Sequence, residues 1–325
     1  KAIGFKVGVQ LVKSRLSAGS AMMLLALGCG NAVAADRAVS VELFSPGLLP
    51  APKPADAAPA FTSDGNTVYI GRVINERNQI VVSTKKAGHW SEAQPARFSS
   101  NYRDLEPAMD PHGRYLIFAS SRPADGSSAP LNGRWSNTDQ IGKGGNLWRA
   151  DLRDQKDLPT RLPASINATN ATFSPAVTAD GSLWFMRSDD GHQFHIFRAS
   201  MQAGTYLDPV PAIFTDPRYG DYDPAVAPDE SFLVFSSSSK RGGATTPHTD
   251  LFITFKTASG WTTPLDLANA ISPKVHGVEA RLSSDARTLY FTNGDTPSGQ
   301  VVITDSYIWR VRLDLPRLRR LSLKA

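Results

Sequence analysis

The chain has 325 residues, with 35 Lys and Arg against 30 Asp and Glu, one Cys and 41% hydrophobic content. Ordinary apolar content without a three-residue glycine period excludes a disordered or collagen-like chain. A single cysteine excludes a disulfide framework and any cysteine-rich zinc or iron–sulfur site.

Residues 1–35 carry Lys1, Lys6, Lys13 and Arg15 and no acid, then an apolar run from Ala21 to Leu27, then Ala32-Val33-Ala34-Ala35. A basic start, a short apolar stretch and a small-residue site describe a secretory signal peptide. The run is too short to cross a bilayer, which takes about twenty residues. The expectation is therefore a signal peptide at 1–35, no transmembrane segment, and one domain over 36–325 in the periplasm or outside the cell. Leu25-Ala26-Leu27-Gly28-Cys29 resembles a bacterial lipobox, so Cys29 is a candidate for lipidation as an alternative to cleavage after Ala34 or Ala35.

The positive charge is concentrated at the two ends. Arg310, Arg312, Arg317, Arg319, Arg320 and Lys324 face only Asp314 after position 309, and residues 36–309 hold 25 bases against 29 acids. The body thus offers no basic face to a phosphate backbone, and no nucleic-acid partner is expected.

Self-similarity decides the fold. Segments 59–70, 107–118, 175–186, 224–235 and 280–291 align without a gap; the first reads Pro59-Ala-Phe-Thr-Ser-Asp-Gly-Asn-Thr-Val-Tyr-Ile70. Each predicts a strand, a tight turn and a second strand rich in aromatic and β-branched residues. The Asp-Gly or His-Gly pair supplies the positive φ that a two-residue hairpin requires, so Asp64, Asp180, Asp229 and Asp285 are read as turn formers. Third strands follow at 79–82, 146–149, 195–198, 250–253 and 307–310. Fourth strands are expected after Trp90, Leu158, Tyr206 and Trp261.

The fifth repeat has no clear fourth strand before the chain ends. Val41-Glu42-Leu43-Phe44, which precedes the first hairpin, is available to supply it. Repeated four-stranded antiparallel sheets around a ring make a β-propeller, and closing the ring with a strand from the other terminus removes an open edge. Anchor spacings of 48, 68, 49 and 56 residues fit blades of roughly 40–50 residues with insertions. The predicted fold is an all-β, five-bladed propeller closed by an N-terminal strand.

The Pro-x-hydrophobic-x-Pro-Asp-Gly pattern followed by a strand ending in Phe-x-Ser resembles the WD40-like, TolB-type propeller repeat of bacterial envelope proteins. Trp261-Thr-Thr-Pro-Leu-Asp-Leu-Ala-Asn-Ala-Ile-Ser272 and Ser121-Arg122-Pro123 with Gly144-Gly145-Asn146-Leu147-Trp148 carry the same resemblance, which extends over residues 41–315. It implies the propeller fold and an envelope setting. Ala280 departs from the pattern at the proline, and Glu230 and Ala286 depart at the turn glycine.

Catalytic signatures are sparse. No Gly-x-Ser-x-Gly elbow, P-loop or dinucleotide glycine fingerprint is present. His192 and His195, three apart on a strand, point to opposite faces. One constellation stands out. The residue before each anchor is Ala58, Glu106, Ser174, Asp223 or Glu279, with Asp104 and Asp221 two residues before two of the acids. Inner strands line a propeller's channel, so these carboxylates should ring one mouth. They would raise one another's pKa or recruit a cation, Ca²⁺ being the one that hard oxygen ligands favour. The alternative is that each carboxylate caps a turn or holds a neighbouring blade's backbone.

The insertion 123–145, with Arg134, Trp135, Asp139 and Lys143 amid Gly and Ser, is the second candidate. Long loops on rigid scaffolds are often binding elements, and Trp and Arg are enriched at interface hot spots. The expected function is an exported, non-enzymatic propeller binding a protein, peptide or glycan through Glu106, Asp223, Glu279, Asp104, Asp221, Arg134 or Trp135, with no cofactor other than Ca²⁺ at the mouth. The alternative is a carbohydrate-active enzyme, which needs channel carboxylates about 5–10 Å apart.

Overall fold

A computed structural model describes residues 39–44, 56–154, 158–214, 218–238, 249–293 and 307–324; the expected signal peptide and Cys29 lie outside the described residues. Five antiparallel sheets are the blades. The first blade orders Asp56–Phe61, Thr67–Ile74, Arg77–Lys86 and Gln94–Pro95 from the axis outward, and the second Asp104–Met109, Tyr115–Ser120, Asn146–Asp151 and Thr160–Arg161. The third runs Thr172–Val177, Leu183–Arg187, His195–Ala199 and Val210–Pro211, and the fourth Asp221–Val226, Phe232–Ser237, Asp250–Thr257 and Leu265–Asp266. The fifth comprises Val278–Leu282, Thr288–Asn293, Tyr307–Arg312 and, as its outer strand, Val41–Leu43.

That last strand is the closure the sequence anticipates. It pairs antiparallel with Tyr307–Arg312, matching Val41 to Val311 and Leu43 to Trp309, and Arg310 pairs with Glu42 across the seam at 2.7 Å. The inner strands pack side by side, and the fifth returns to the first. The described residues from Val39 onward form one compact unit.

The core is divided into five layers, one between each pair of adjacent blades. Phe98 and Phe118 fill the first-to-second layer; Phe173, Phe185 and Phe197 the second-to-third; Trp184, Phe235 and Phe252 the third-to-fourth. Phe255, Phe291 and Val311 fill the fourth-to-fifth, and Ile70, Tyr290 and Ile308 close the ring. Aromatic and β-branched residues, most of them in the second and third strands, therefore hold blade to blade, at about 1.5–3 kcal/mol for each fully buried side chain.

The turns differ from the two-residue hairpins expected. Thr62 donates its amide to Thr67 O and Gly65 its amide to Thr62 O, so the turn spans residues 63–66 with Gly65 at φ +66°. The Asp of each turn acts as read from sequence. Asp64, Asp180, Asp229 and Asp285 each accept the amide of the residue two further on, at 2.9–3.1 Å.

Glu230, which occupies a turn-glycine position at φ +57°, has a reason to be there. Its Oε1 accepts the Trp184 indole N–H of the third blade at 2.9 Å, and its carboxylate also pairs with Arg198 and Lys256. A turn residue of the fourth blade thus clasps the third. Ala286, at the same place in the fifth blade, is buried in the fourth-to-fifth layer.

After Arg312 the chain forms a helix, Leu315–Ser322, that the sequence reading did not anticipate. Asp314 caps it by accepting the Arg317 amide at 3.0 Å, and Leu318 is buried on the fourth-to-fifth layer. Ser322 donates to Thr263 O at 2.9 Å, tying the helix to the fourth blade. No helix among the described residues is long and apolar enough to cross a membrane.

Candidate functional site

The residue before every anchor adopts positive φ: Ala58 (+49°), Glu106 (+53°), Ser174 (+49°), Asp223 (+53°) and Glu279 (+56°). At each the inner strand loses register with its neighbour, for example between Leu105 and Ala108 or between Tyr222 and Ala225. These are five bulges, one per blade. Proline after the bulged residue fits because it has no N–H to contribute to the ladder. The fifth bulge keeps the geometry with Ala280 in place of proline. Bulging turns the preceding side chain toward the axis and releases its amide from the sheet.

Two of those amides are caught by acids from the blade before. Glu106 Oε2 accepts the Ser174 amide at 2.7 Å, and Asp223 Oδ2 accepts the Glu279 amide at 2.8 Å. Ser174 Oγ donates to Asp223 Oδ1 at 2.6 Å, and Thr292 Oγ1 donates to Glu279 Oε2 at 3.0 Å. Glu106, Ser174, Asp223 and Glu279 therefore form a chain of clasps across four blades. The sequence brought forward these acids, and the structure brings three of them together.

One functional residue was missed. Arg281 occupies the position that is Ala60, Ala108, Ala176 and Ala225 in the other repeats, and it is 4% exposed. It donates Nη1 to Ala280 O at 2.7 Å and lies 3.4 Å from both Pro107 O and Ser174 Oγ, reaching across to the second and third blades. The aligned repeats already contained the signal, a lone cation in a column of alanines.

Arg281 provides the positive charge that the acid ring calls for. Among the described residues no group of three or more His, Cys, Asp or Glu side chains is placed to hold a metal ion. Burial, reinforced by the charges of Asp223 and Glu279, pushes Glu106 up to about 8, against the pull of Arg281. Burial and the Asp223 charge push Glu279 up to about 7. Glu279 is only half-buried.

Asp104 and Asp221 sit apart from this group, further toward the start of their strands. Asp104 is fully buried; it pairs with Arg122 at 2.9 Å and accepts from Ser120 Oγ and from the Ser100 amide and hydroxyl. It shapes the 99–103 loop rather than facing the axis. Asp56, two residues before Ala58, does the same work with Arg72 at 2.6 Å. Asp221 is fully buried at the matching place in the fourth blade.

The 123–145 insertion is a hairpin, not an irregular loop. Gly133–Trp135 pairs with Thr138–Gln140 around Ser136 and Asn137, both at positive φ. It docks on the third blade: the Ser136 and Asn137 amides donate to His192 O and Gly191 O at 2.7 and 2.9 Å. Trp135 turns inward, 5.6 Å from the Phe173 ring and 5.7 Å from Phe194. Its role is anchoring. Arg134 and Asp139 stay exposed and pair at 2.7 Å, and Ile141 is 72% exposed.

Two clefts flank this hairpin. One of about 500 Å³ lies toward the third blade, against Asn132, Arg134, Asp139 and Ile141. The other, about 900 Å³, lies toward the first blade, where Ser128, Pro130 and Gly142 form its insertion wall. At the opposite end of the channel a cavity of about 80 Å³ is lined by the alanines of the inner strands and by Arg281.

No family model matches the sequence, and no curated protein matches it. Among solved structures, a protein of unknown function from Dyadobacter fermentans aligns with TM-score 0.50 and 13% identity over 85% of this chain and 86% of that one. The catalytic domain of the GH62 α-L-arabinofuranosidase of Coprinopsis cinerea gives 0.50 and 12% over 86% and 98%. TolB from Acinetobacter baumannii gives 0.49 and 13% over 85% of this chain and 63% of TolB, so the chain spans less than two thirds of that protein. Identities this low speak to fold alone. The resemblance of the repeat to the TolB-type propeller holds at that level, since the chain builds five blades from it.

Proposed function

We propose that this protein is an exported, non-enzymatic propeller that binds a protein, peptide or glycan on the face carrying the 123–145 hairpin. The observation that carries this reading is that the insertion is pre-organised. Amide bonds to Gly191 and His192 and the inward Trp135 fix it, while Arg134, Asp139 and Ile141 are presented beside two clefts. A rigid ridge binds without the ordering cost that a mobile loop incurs. The sequence pattern of residues 1–35 supports action in the periplasm or outside the cell, either free or anchored through Cys29.

The test is a glycan and peptide array probed with the wild-type chain, with Arg134→Glu/Ile141→Asp, and with a chain in which 124–143 is replaced by a short Gly-Ser link. Loss of the wild-type ligands in both variants, at an unchanged melting temperature for the point variant, is the expected result. An unaltered ligand profile in both would remove the assignment.

A second reading has one observation in its favour. Glu106 and Glu279 are pushed up to about 8 and about 7, so each keeps a share of its proton near neutral pH, and a carboxyl group that stays protonated is what a glycoside general acid requires. Release of reducing sugar from a glycan panel, abolished by Glu106→Gln and Glu279→Gln, would establish it. No turnover by the wild-type chain removes it.

A further inference from the structure

The 900 Å³ cleft between the insertion and the first blade has a lining of unusual chemistry. Arg77, Gln79, Asn101, Tyr102, Arg103 and Ser128 contribute to it, and neither an acid nor a large aliphatic side chain does. In a body that is net acidic, two guanidiniums opening on an acid-free cleft are a local exception.

Both arginines are held in place with donors to spare. Arg77 gives Nη1 to Asn101 O at 3.2 Å, a single bond that orients its guanidinium at the cleft wall. Arg103 is fixed by Nε to Asn78 Oδ1 at 3.2 Å and by Nη1 to Lys143 O at 2.8 Å, which also links it to the insertion. Asp104, through Ser99 and Ser100, stiffens the loop that presents Arg103. Glu106 lies near enough to act on Arg103 electrostatically, but its raised pKa leaves it largely neutral at pH 7, so it does not cancel the cationic cleft.

We propose that this cleft binds a carboxylate-bearing saccharide, a uronate, whose acid group is taken by Arg77 and Arg103. Guanidinium groups recognise carboxylates by charge-assisted and often paired hydrogen bonds. Gln79, Asn101 and Ser128 offer partners for sugar hydroxyls, and Tyr102 offers a ring. An acidic peptide fits less well, because peptide recognition relies on apolar pockets for side chains and the lining has no large aliphatic residue. This inference rests on the ligand-binding reading above and names the ligand class.

Calorimetric titration of the full chain with tri-galacturonate, neutral galactotriose and a triglutamate peptide tests it. Tri-galacturonate is expected to bind at least tenfold more tightly than either of the others. Arg77→Gln and Arg103→Gln are each expected to weaken it about tenfold at a temperature where circular dichroism shows the variant still folded. Equal affinity for galactotriose, tighter binding of triglutamate, or full affinity in both variants overturns the proposal. The comparison of the three compounds on the wild-type chain needs no variant. A chain that takes array ligands through the insertion but ignores tri-galacturonate overturns the uronate site while leaving the ligand-binding reading intact.

Discussion

Replacing Glu106 by Gln should make this propeller more stable at pH 8 and flatten its pH dependence. The Glu106 carboxyl is moved from an ordinary 4.5 to about 8 in the folded state, first by burial and then by the charges of Asp223 and Glu279. Between those two pH values the unfolded chain has released the proton and the folded chain retains it. Stability therefore falls as pH rises through this window and is complete below it. At about 1.4 kcal/mol per pKa unit, the shift corresponds to an order-of-magnitude penalty of about 5 kcal/mol by pH 8. For a domain of this size that is a melting-temperature loss of about 10 °C, at about 2 °C per kcal/mol. Gln reproduces the neutral form and can still accept the Ser174 amide through its Oε1. The assay is thermal unfolding of the wild-type chain and Glu106→Gln at pH 5 and pH 8. The variant should match the wild type at pH 5 and exceed it by several degrees at pH 8. A wild-type chain with no greater loss between the two pH values than the variant refutes the reasoning, because the proton would then not be held by Glu106.

Arg281→Ala leaves Asp223 and its neighbours without their buried countercharge and should lower stability by about 3–5 kcal/mol in urea unfolding; a midpoint within error of wild type would show that the guanidinium is not the counterion. Glu230→Gly restores the repeat's turn glycine yet removes the acceptor of Trp184, Arg198 and Lys256. It should destabilise by about 1–3 kcal/mol, the range for charged hydrogen bonds, whereas a gain in stability would mean that the turn strain dominates. Trp135→Ala should cost about 3 kcal/mol and make the Ser136 and Asn137 amides exchange rapidly in hydrogen-exchange measurements. Persistent protection of those two amides would show that the hairpin is held by other contacts.

The closing strand shows how much was legible from one column of the alignment. Four repeats have a fourth strand and the fifth does not, and the only unassigned strand-like segment before the first hairpin is Val41–Phe44. Pairing of Val41 with Val311 follows from the need to leave no open edge. The C-terminal helix was not legible, because Leu318 and Ser322 become a buried face, with Leu315 half-buried beside them, only against the fourth blade, to which Phe255 and Thr263 belong. The two-residue turn was also misread. Asp-Gly states where a positive φ is needed, but the number of residues in the turn is set by which amide and carbonyl the paired strands leave facing each other.

By itself the sequence determined the repeat, the number of blades, the closure and the inward placement of Glu106, Asp223 and Glu279, since all of these follow from local pattern and fixed spacing. Tertiary structure alone decided what the acids do. Whether a carboxylate faces solvent, holds a neighbour's amide or shares a guanidinium depends on residues of other blades, such as Ser174, 68 positions from Glu106, or Pro107, 174 from Arg281. It also decided the fate of Arg134 and Trp135, adjacent in sequence: a strand's alternation sends one to solvent and the other onto Phe173. Spacing records which way a side chain turns from its own backbone, but what it meets there is supplied by the other blades.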